Sequence, residues 1–276
     1  MPKRHLPVRP NLDQLKHQAK DLLRAIRRGD PSAAAELHKH HPERIEPVDA
    51  KLADAQLALA RSYGLPSWPR LVLACRMTDA IWRDDADVVR KLVLQHPGLL
   101  HEDARGVNGN WGPPMSYAAN LGRDRIIAML RELGAADVQH AFERACLQGK
   151  LDTARRLHAM GGRPIVGSVM GPCETQSGSG LALLLELGAE LSDKAGGRLA
   201  PVAMILGTYG RNPEGKHRCL EIVAEHGIEL PDTPPMAVHR GRIDLLDQHL
   251  RRDPALLART FSLEEIYPPE LGCHGE

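Results

Sequence analysis

Three histidines that lie close together are the residues best suited to metal chemistry. His38, His40 and His41 fall within four residues of one another, and imidazoles that converge in a turn can bind zinc or another transition metal. No thiol pair stands beside them to complete a ligand set. We therefore interpret the cluster as the solvated end of a helix and predict no bound metal.

Two cysteines lie near a histidine, which is the arrangement of a thiol nucleophile and its base. Cys219 is two residues from His217, and Cys146 is six residues from His140. Positions two apart on a helix point in different directions, and Cys219 occupies an apolar position of the repeat described below. We predict buried, reduced thiols that take no part in catalysis.

Two further patterns carry weaker signals for chemistry. The glycine-rich stretches at 106–112 and 178–180 lack the preceding strand and the glycine spacing of a nucleotide-binding loop, so we interpret both as turns. A helix would splay the adjacent Glu264 and Glu265 apart, which leaves no pair of carboxylates for acid–base catalysis. The sequence therefore predicts neither an enzyme nor a cofactor site.

Composition predicts a helical protein without a strong electrostatic field. Aromatic residues make up 3% and hydrophobic residues 42% of the chain, with Leu, Ala and Ile prominent, which favours helices over strands. The formal charge of +1 gives no global attraction to nucleic acid or to an anionic membrane. No apolar run reaches the roughly eighteen residues of a membrane span. Five cysteines without a C-x-x-C pair are typical of reduced thiols in the cytoplasm.

The first 77 residues are predicted to form a helical cap. Apolar spacing and capping residues predict helices at 12–28 after Asn11, at 31–41, at about 48–63, and after Ser67. The first 28 residues hold eight Lys or Arg against two Asp, an excess that could contact nucleic acid. We interpret it as a disordered basic tail and the solvated face of the first helix, so nucleic acid is not the expected partner.

From residue 78 the sequence becomes self-similar, and the clearest unit is PPMSYAANLGRDRIIAMLRELGA at 113–135. This unit resembles the ankyrin repeat. The matching positions of the first helix and its turn are Pro114, Met115, Ala118, Ala119 and Gly122, and those of the second helix are Ile126, Ile127, Leu130, Gly134 and Ala135. The unit departs from the family pattern at Ser116, where histidine is usual, and at Arg131, where a second leucine is usual.

Five further units follow the same template less closely. The residues aligned with the inter-helix glycine stand at positions 84, 122, 149, 176, 215 and 241, separated by 38, 27, 27, 39 and 26 residues, against about 33 in ankyrin repeats. The resemblance implies an all-α, ankyrin-type helical repeat solenoid at 78–257 behind an N-terminal helical cap at 1–77. Residues 258–276 are then a tail or the start of a further repeat, so we expect the chain to be part of a longer array. The GLPSWPRL element and the first helix also look similar to a bacterial subfamily of such proteins.

The resemblance also implies where a partner would bind. Ankyrin arrays use a concave face made of loops and of the exposed positions of the inner helices, where aromatic and Arg side chains are favoured as anchors. The residues carried over to that face, or to the long loops beside it, are Trp82, Arg83, Trp111, Asn120, Glu174, Tyr209, Arg211, Asn212, His239 and Arg240. The alternative for Trp82 is that it packs under the N-terminal helices, and Tyr117 is expected in the core.

Three functions compete at this point. The leading prediction is a protein-binding scaffold whose partner the sequence does not identify. The second is a small-molecule or enzymatic pocket in the irregular middle repeats, around His140, Cys173 and Glu174. The third is contact with nucleic acid through the basic first helix.

Overall fold

Every regular element of the structure, a computed structural model that describes residues 4–107, 109–210 and 212–273, is a helix. The prediction of an all-α protein is therefore confirmed for these residues. No helix in the described ranges is both long enough and apolar enough to cross a membrane. The chain divides into two compact units: unit 1 comprises the residues up to Ala118 with Arg123–Asp137, and unit 2 comprises Ala119–Gly122 with the residues from Val138 onward.

The described residues form sixteen α-helices and three short 3-10 helices. The first eight are α1 (Leu12–Arg27), α2 (Pro31–His40), α3 (Leu52–Ser62), α4 (Trp68–Trp82), α5 (Ala86–Gln95), α6 (Pro114–Leu121), α7 (Asp124–Glu132) and α8 (Val138–Leu147). The second eight are α9 (Leu151–Ala159), α10 (Met170–Glu174), α11 (Gly178–Glu186), α12 (Ala200–Gly207), α13 (Pro213–Glu225), α14 (Pro234–His239), α15 (Ile243–Arg252) and α16 (Leu263–Ile266). The 3-10 helices are Pro97–Leu100, Pro254–Ala258 and Pro269–Leu271.

Side-chain caps set where the first helices begin. The Asn11 side chain accepts a hydrogen bond from the Gln14 amide at 3.0 Å, and the Ser67 hydroxyl accepts one from the Arg70 amide at 3.3 Å, as predicted for α1 and α4. The start predicted near residue 48 is wrong, because α3 begins only at Leu52. The cap region was predicted to end at residue 77, but α4 runs across this boundary. The first helix pair, α4 and α5, therefore includes the last residues of the predicted cap.

From α4 to α15 the described helices form six consecutive pairs, and five of these pairs are joined by a tight turn. At five of the six predicted turn positions the backbone is left-handed, with φ of 59° at Asp84, 68° at Gly122, 63° at Gly149, 53° at Gln176 and 66° at Gly241. A left-handed residue lets the following amides bond back to the last carbonyls of the first helix. The spacing of the turns is thus confirmed at these five positions.

The sixth predicted turn position, Gly215, is wrong. It lies inside α13, where its amide donates to the side chain of the helix cap Asn212 at 3.1 Å. Pro213 is suited to the first position of a helix because it has no amide hydrogen to satisfy. The connection between α12 and α13 therefore lies earlier in the chain, before Pro213.

Two turn positions hold a residue other than glycine. Gln176 is buried, and its side chain is fixed by a hydrogen bond from Nε2 to the Ile205 carbonyl at 3.2 Å and by one accepted from the Asn212 amide at 3.1 Å. Asp84 is exposed. Left-handed backbone strains a residue that has a Cβ, so Asp84 bears this strain with less compensation than Gln176.

Replacing Asp84 with glycine is expected to raise the free energy of unfolding by up to about 1 kcal/mol, because glycine adopts this backbone without strain. Urea denaturation followed by circular dichroism measures the change. The reverse control is Gly122→Ala, whose new Cβ meets nothing closer than Lys150 Cδ at 3.5 Å, so its expected loss of about 1 kcal/mol comes from the backbone alone. A destabilised Asp84→Gly variant would contradict the explanation.

Candidate binding surfaces

The N-terminal segment, residues 4–10, lies against unit 1 as an extended peptide. Leu6 and Pro10 are buried and Val8 is half-buried, whereas the residues between them are exposed. Leu6 packs into an apolar cluster with Leu15 and Leu71. This alternation of buried and exposed side chains is that of an extended chain on a surface, so the interpretation of these residues as a disordered tail is wrong.

Hydrogen bonds hold the N-terminal segment in place. The Tyr117 hydroxyl donates to the Val8 carbonyl at 2.6 Å, and the Arg105 guanidinium donates to the Leu6 carbonyl at 3.1 Å. The Arg9 guanidinium lies 2.6 Å from the Asp79 carboxylate. Partners for these backbone carbonyls remove most of the cost of taking the segment out of water.

An aromatic cluster lies beside this segment. The Trp82 indole donates to the Tyr117 hydroxyl at 2.7 Å, and the rings of Trp82 and Trp111 are stacked with centroids 6.5 Å apart. The Arg9 guanidinium stands 5.6 Å from the centroid of the Trp82 ring, within the range of a cation–π contact. Trp82 is half-buried, and burial raises the pKa of Tyr117 to about 12.

The predicted roles of these residues can now be compared with their positions. Tyr117 is fully buried, as predicted. Trp82 packs within the protein, whereas the alternative interpretation placed it under the N-terminal helices. The part of the chain that covers it is the N-terminal segment, which precedes α1. Arg83 is exposed and pairs with Asp79 at 3.1 Å. The chain's own Arg9 therefore lies over the ring of Trp82, a residue that was predicted to contact an external partner.

The expectation that Asn120 lies on the surface is wrong. Its side chain is 2% exposed, and its oxygen accepts a hydrogen bond from Arg144 Nε at 2.8 Å. Arg144 is itself buried, so the amide supplies an acceptor to a guanidinium that has lost much of its hydration. Asn120 is a structural residue of unit 2.

The loop between α12 and α13 exposes an aromatic side chain close to two hydrogen-bonded residues. Tyr209 is 100% exposed, and Glu174 and Asn212 are exposed as well. The Thr208 hydroxyl donates to the Glu174 carbonyl at 2.8 Å on one side of Tyr209, and the Asn212 amide is bonded to Gln176 on the other. Arg211, which the sequence analysis assigned to the same surface, lies outside the described residues.

His239 and Arg240, at the end of α14, are engaged within unit 2. The His239 ring lies 2.8 Å from Lys216 Nζ and 2.8 Å from the Ile266 carbonyl, and burial followed by the nearby Lys216 lowers its pKa. Arg240 pairs with Glu221 at 2.6 Å. Neither side chain is presented as freely as that of Tyr209.

The cysteines are core residues, as predicted. All five are free and buried, and burial raises the pKa of Cys146 and Cys219 to about 12. Cys173 is fully buried while its neighbour Glu174 is exposed, so the two side chains do not face a common site. A thiol that stays protonated at neutral pH is a poor nucleophile, which weakens the proposed pocket around Cys173.

The other groups singled out for chemistry are also engaged locally. His38 contacts the Ile45 carbonyl at 3.1 Å, and His41 Nδ1 accepts from the Glu43 amide at 3.1 Å. No group of three or more metal-ligating side chains occurs in the described parts of the chain. On the basic face of α1, Lys16 pairs with Asp13 at 2.9 Å, which reduces the positive field available to nucleic acid.

No family model matches the chain, and no curated protein matches it. What the described residues define is a class: an all-helical protein in which helix pairs recur with a left-handed turn between their members.

Proposed function

We propose that this protein is a protein-binding scaffold and that its partner contacts the loop between α12 and α13, with Tyr209 as the central anchor. The observation that carries the proposal is the complete exposure of Tyr209 between two hydrogen-bonded residues, Thr208 through its hydroxyl and Asn212 through its amide. When a partner covers an aromatic side chain that was exposed to water, the free energy of the complex is lowered. Tyrosine is also enriched among the residues that dominate protein interfaces.

The hydrogen bonds of Thr208 and Asn212 support this role. Residues already held by such bonds lose little conformational entropy on binding, so more of the contact energy appears as affinity. Exposed Glu174 and Asn212 belong to the same hydrogen-bonded region and offer polar groups for the rim of such an interface.

The ankyrin resemblance supports the proposal from a separate direction. Left-handed residues stand at five of the six turns that the resemblance placed, and ankyrin-type solenoids commonly bind partners through their loops and inner helices. We include an ankyrin-type array in the proposal on this basis. The proposal also includes a reducing, cytoplasmic setting, which the five unpaired cysteines support.

The test is to replace Tyr209 with alanine and to compare affinity capture from a host lysate by quantitative mass spectrometry. The control is Leu257→Ala, which removes an apolar side chain that is 80% exposed elsewhere in unit 2. We expect one captured protein to be lost with Tyr209→Ala and kept with Leu257→Ala. The purified partner should bind the Tyr209 variant about tenfold more weakly or worse, the loss typical of an anchor residue. Equal affinity for both variants would show that the loop is not the interface.

A further inference from the structure

A basic pocket lies in unit 1, apart from the surface proposed for the partner protein. It has a volume of about 660 Å³ and is bounded by the start of the N-terminal segment, the end of α2, the end of α3 and the loop at 105–107. Cavities between about 300 and 1,000 Å³ are the usual size of small-molecule sites. The pocket can therefore accept an organic molecule rather than a single ion.

Positive charges outnumber negative ones around this pocket. Four permanent cations line it, Arg4, Lys39, Arg61 and Arg105, whereas Glu36 is the one carboxylate among its lining residues. Glu36 is already engaged, because its carboxylate lies 3.4 Å from Arg4 and 3.8 Å from His40. Neither Lys39 nor Arg61 has an ion pair within the described ranges, so the pocket carries an uncompensated positive charge.

One of these cations also has an unsatisfied donor. Arg105 Nη1 donates to the Leu6 carbonyl at 3.1 Å, but its Nε is buried without a hydrogen-bond partner among the described residues. Leaving such a donor unpaired costs about 1–3 kcal/mol. An anion with several oxygens in the pocket would neutralise the surrounding positive charge, that of Arg105 included.

We propose that the basic pocket binds a small organic phosphate with at least two negative charges. Guanidinium groups match phosphate oxygens in geometry and charge, and several cations around one cavity favour more than one phosphoryl group. Leu6, Tyr63 and Val107 also line the cavity, and they provide apolar surface for the organic part of the ligand. This binding is independent of the partner proposed for Tyr209.

Isothermal titration calorimetry of the full chain tests the proposal, with ATP, tripolyphosphate and adenosine as probes at low ionic strength. We expect ATP and tripolyphosphate to bind, adenosine to give no heat, and added salt to weaken the binding. If ATP binds more tightly than tripolyphosphate, the apolar wall contributes to recognition. If the two are equal, the phosphates alone are recognised.

The pocket variant is Lys39→Gln with Arg61→Gln, and its matched control is Arg76→Gln with Lys91→Gln. Both pairs remove two positive charges from unit 1, but Arg76 and Lys91 are exposed residues outside the pocket. We expect about a tenfold or greater loss of ATP affinity for the pocket variant alone, since hydrogen bonds to charged groups contribute about 1.5–3 kcal/mol. Thermal unfolding should be unchanged in both variants.

Three results would overturn the proposal. The first is no heat with either ATP or tripolyphosphate. The second is an equal loss of affinity in the pocket variant and its control, which would mean diffuse attraction to unit 1. The third is binding of an RNA oligonucleotide while ATP does not bind, which would assign the charge to nucleic acid instead.

Discussion

Replacing Gly180 with alanine is expected to destabilise unit 2 by about 3 kcal/mol or more, because the position has no room for a Cβ. The new atom would lie 1.9 Å from the backbone oxygen of Cys146, far inside van der Waals contact. Gly180 is in the first turn of α11 and Cys146 is in α8. A backbone oxygen cannot rotate away as a side chain can, so the two helices would have to separate.

Denaturation followed by far-ultraviolet circular dichroism measures this loss of helix in unit 2. Tryptophan fluorescence serves as a separate signal for unit 1, since all three tryptophans, Trp68, Trp82 and Trp111, belong to that unit. The matched control is Gly207→Ala in α12, where a Cβ would meet no atom within 4 Å and alanine favours the helix. Equal stability of the Gly180 and Gly207 variants would rule out the close approach of α8 and α11.

Replacing Tyr117 with phenylalanine is expected to destabilise unit 1 by about 2 kcal/mol and to loosen the N-terminal segment. The hydroxyl accepts from the Trp82 indole and donates to the Val8 carbonyl, so its removal leaves two groups without their partner. Hydrogen exchange of the amides in residues 5–9 and the emission of Trp82 measure the change.

The control for Tyr117→Phe is Tyr63→Phe, which removes a hydroxyl with a single partner, Gln18, at 3.3 Å. Its cost should stay below about 1 kcal/mol, with no change in exchange at residues 5–9. Unchanged exchange in the Tyr117 variant would mean that Leu6 and Pro10 hold the segment without this hydrogen bond.

The helices were predictable where the signal was local. Asn11 and Ser67 cap their helices through atoms three residues away, and the left-handed turns recur at a spacing visible in the sequence. Gly180 was misread because glycine permits both a tight turn and a close helix contact. Which of the two it serves depends on Cys146, which is 34 residues away in the sequence.

The binding surfaces were less predictable because they depend on distant partners. A repeat template places Asn120 on a surface, but the template contains no information about the buried Arg144 that bonds to it. Lys39, Arg61 and Arg105 come from three separate parts of the chain and line one cavity. Each is unremarkable in sequence, and only the fold brings their charges together.

The reactivity of the buried cysteines measures how often the surrounding helices open. Burial raises the pKa of Cys75, Cys146 and Cys219 to about 12, so an alkylating reagent reacts with each thiol only after the surrounding helix has moved. These three cysteines lie in α4, α8 and α13, and Cys173 lies in α10. The order in which the native chain takes up the reagent therefore ranks four helix pairs by how readily they open, without any engineered label.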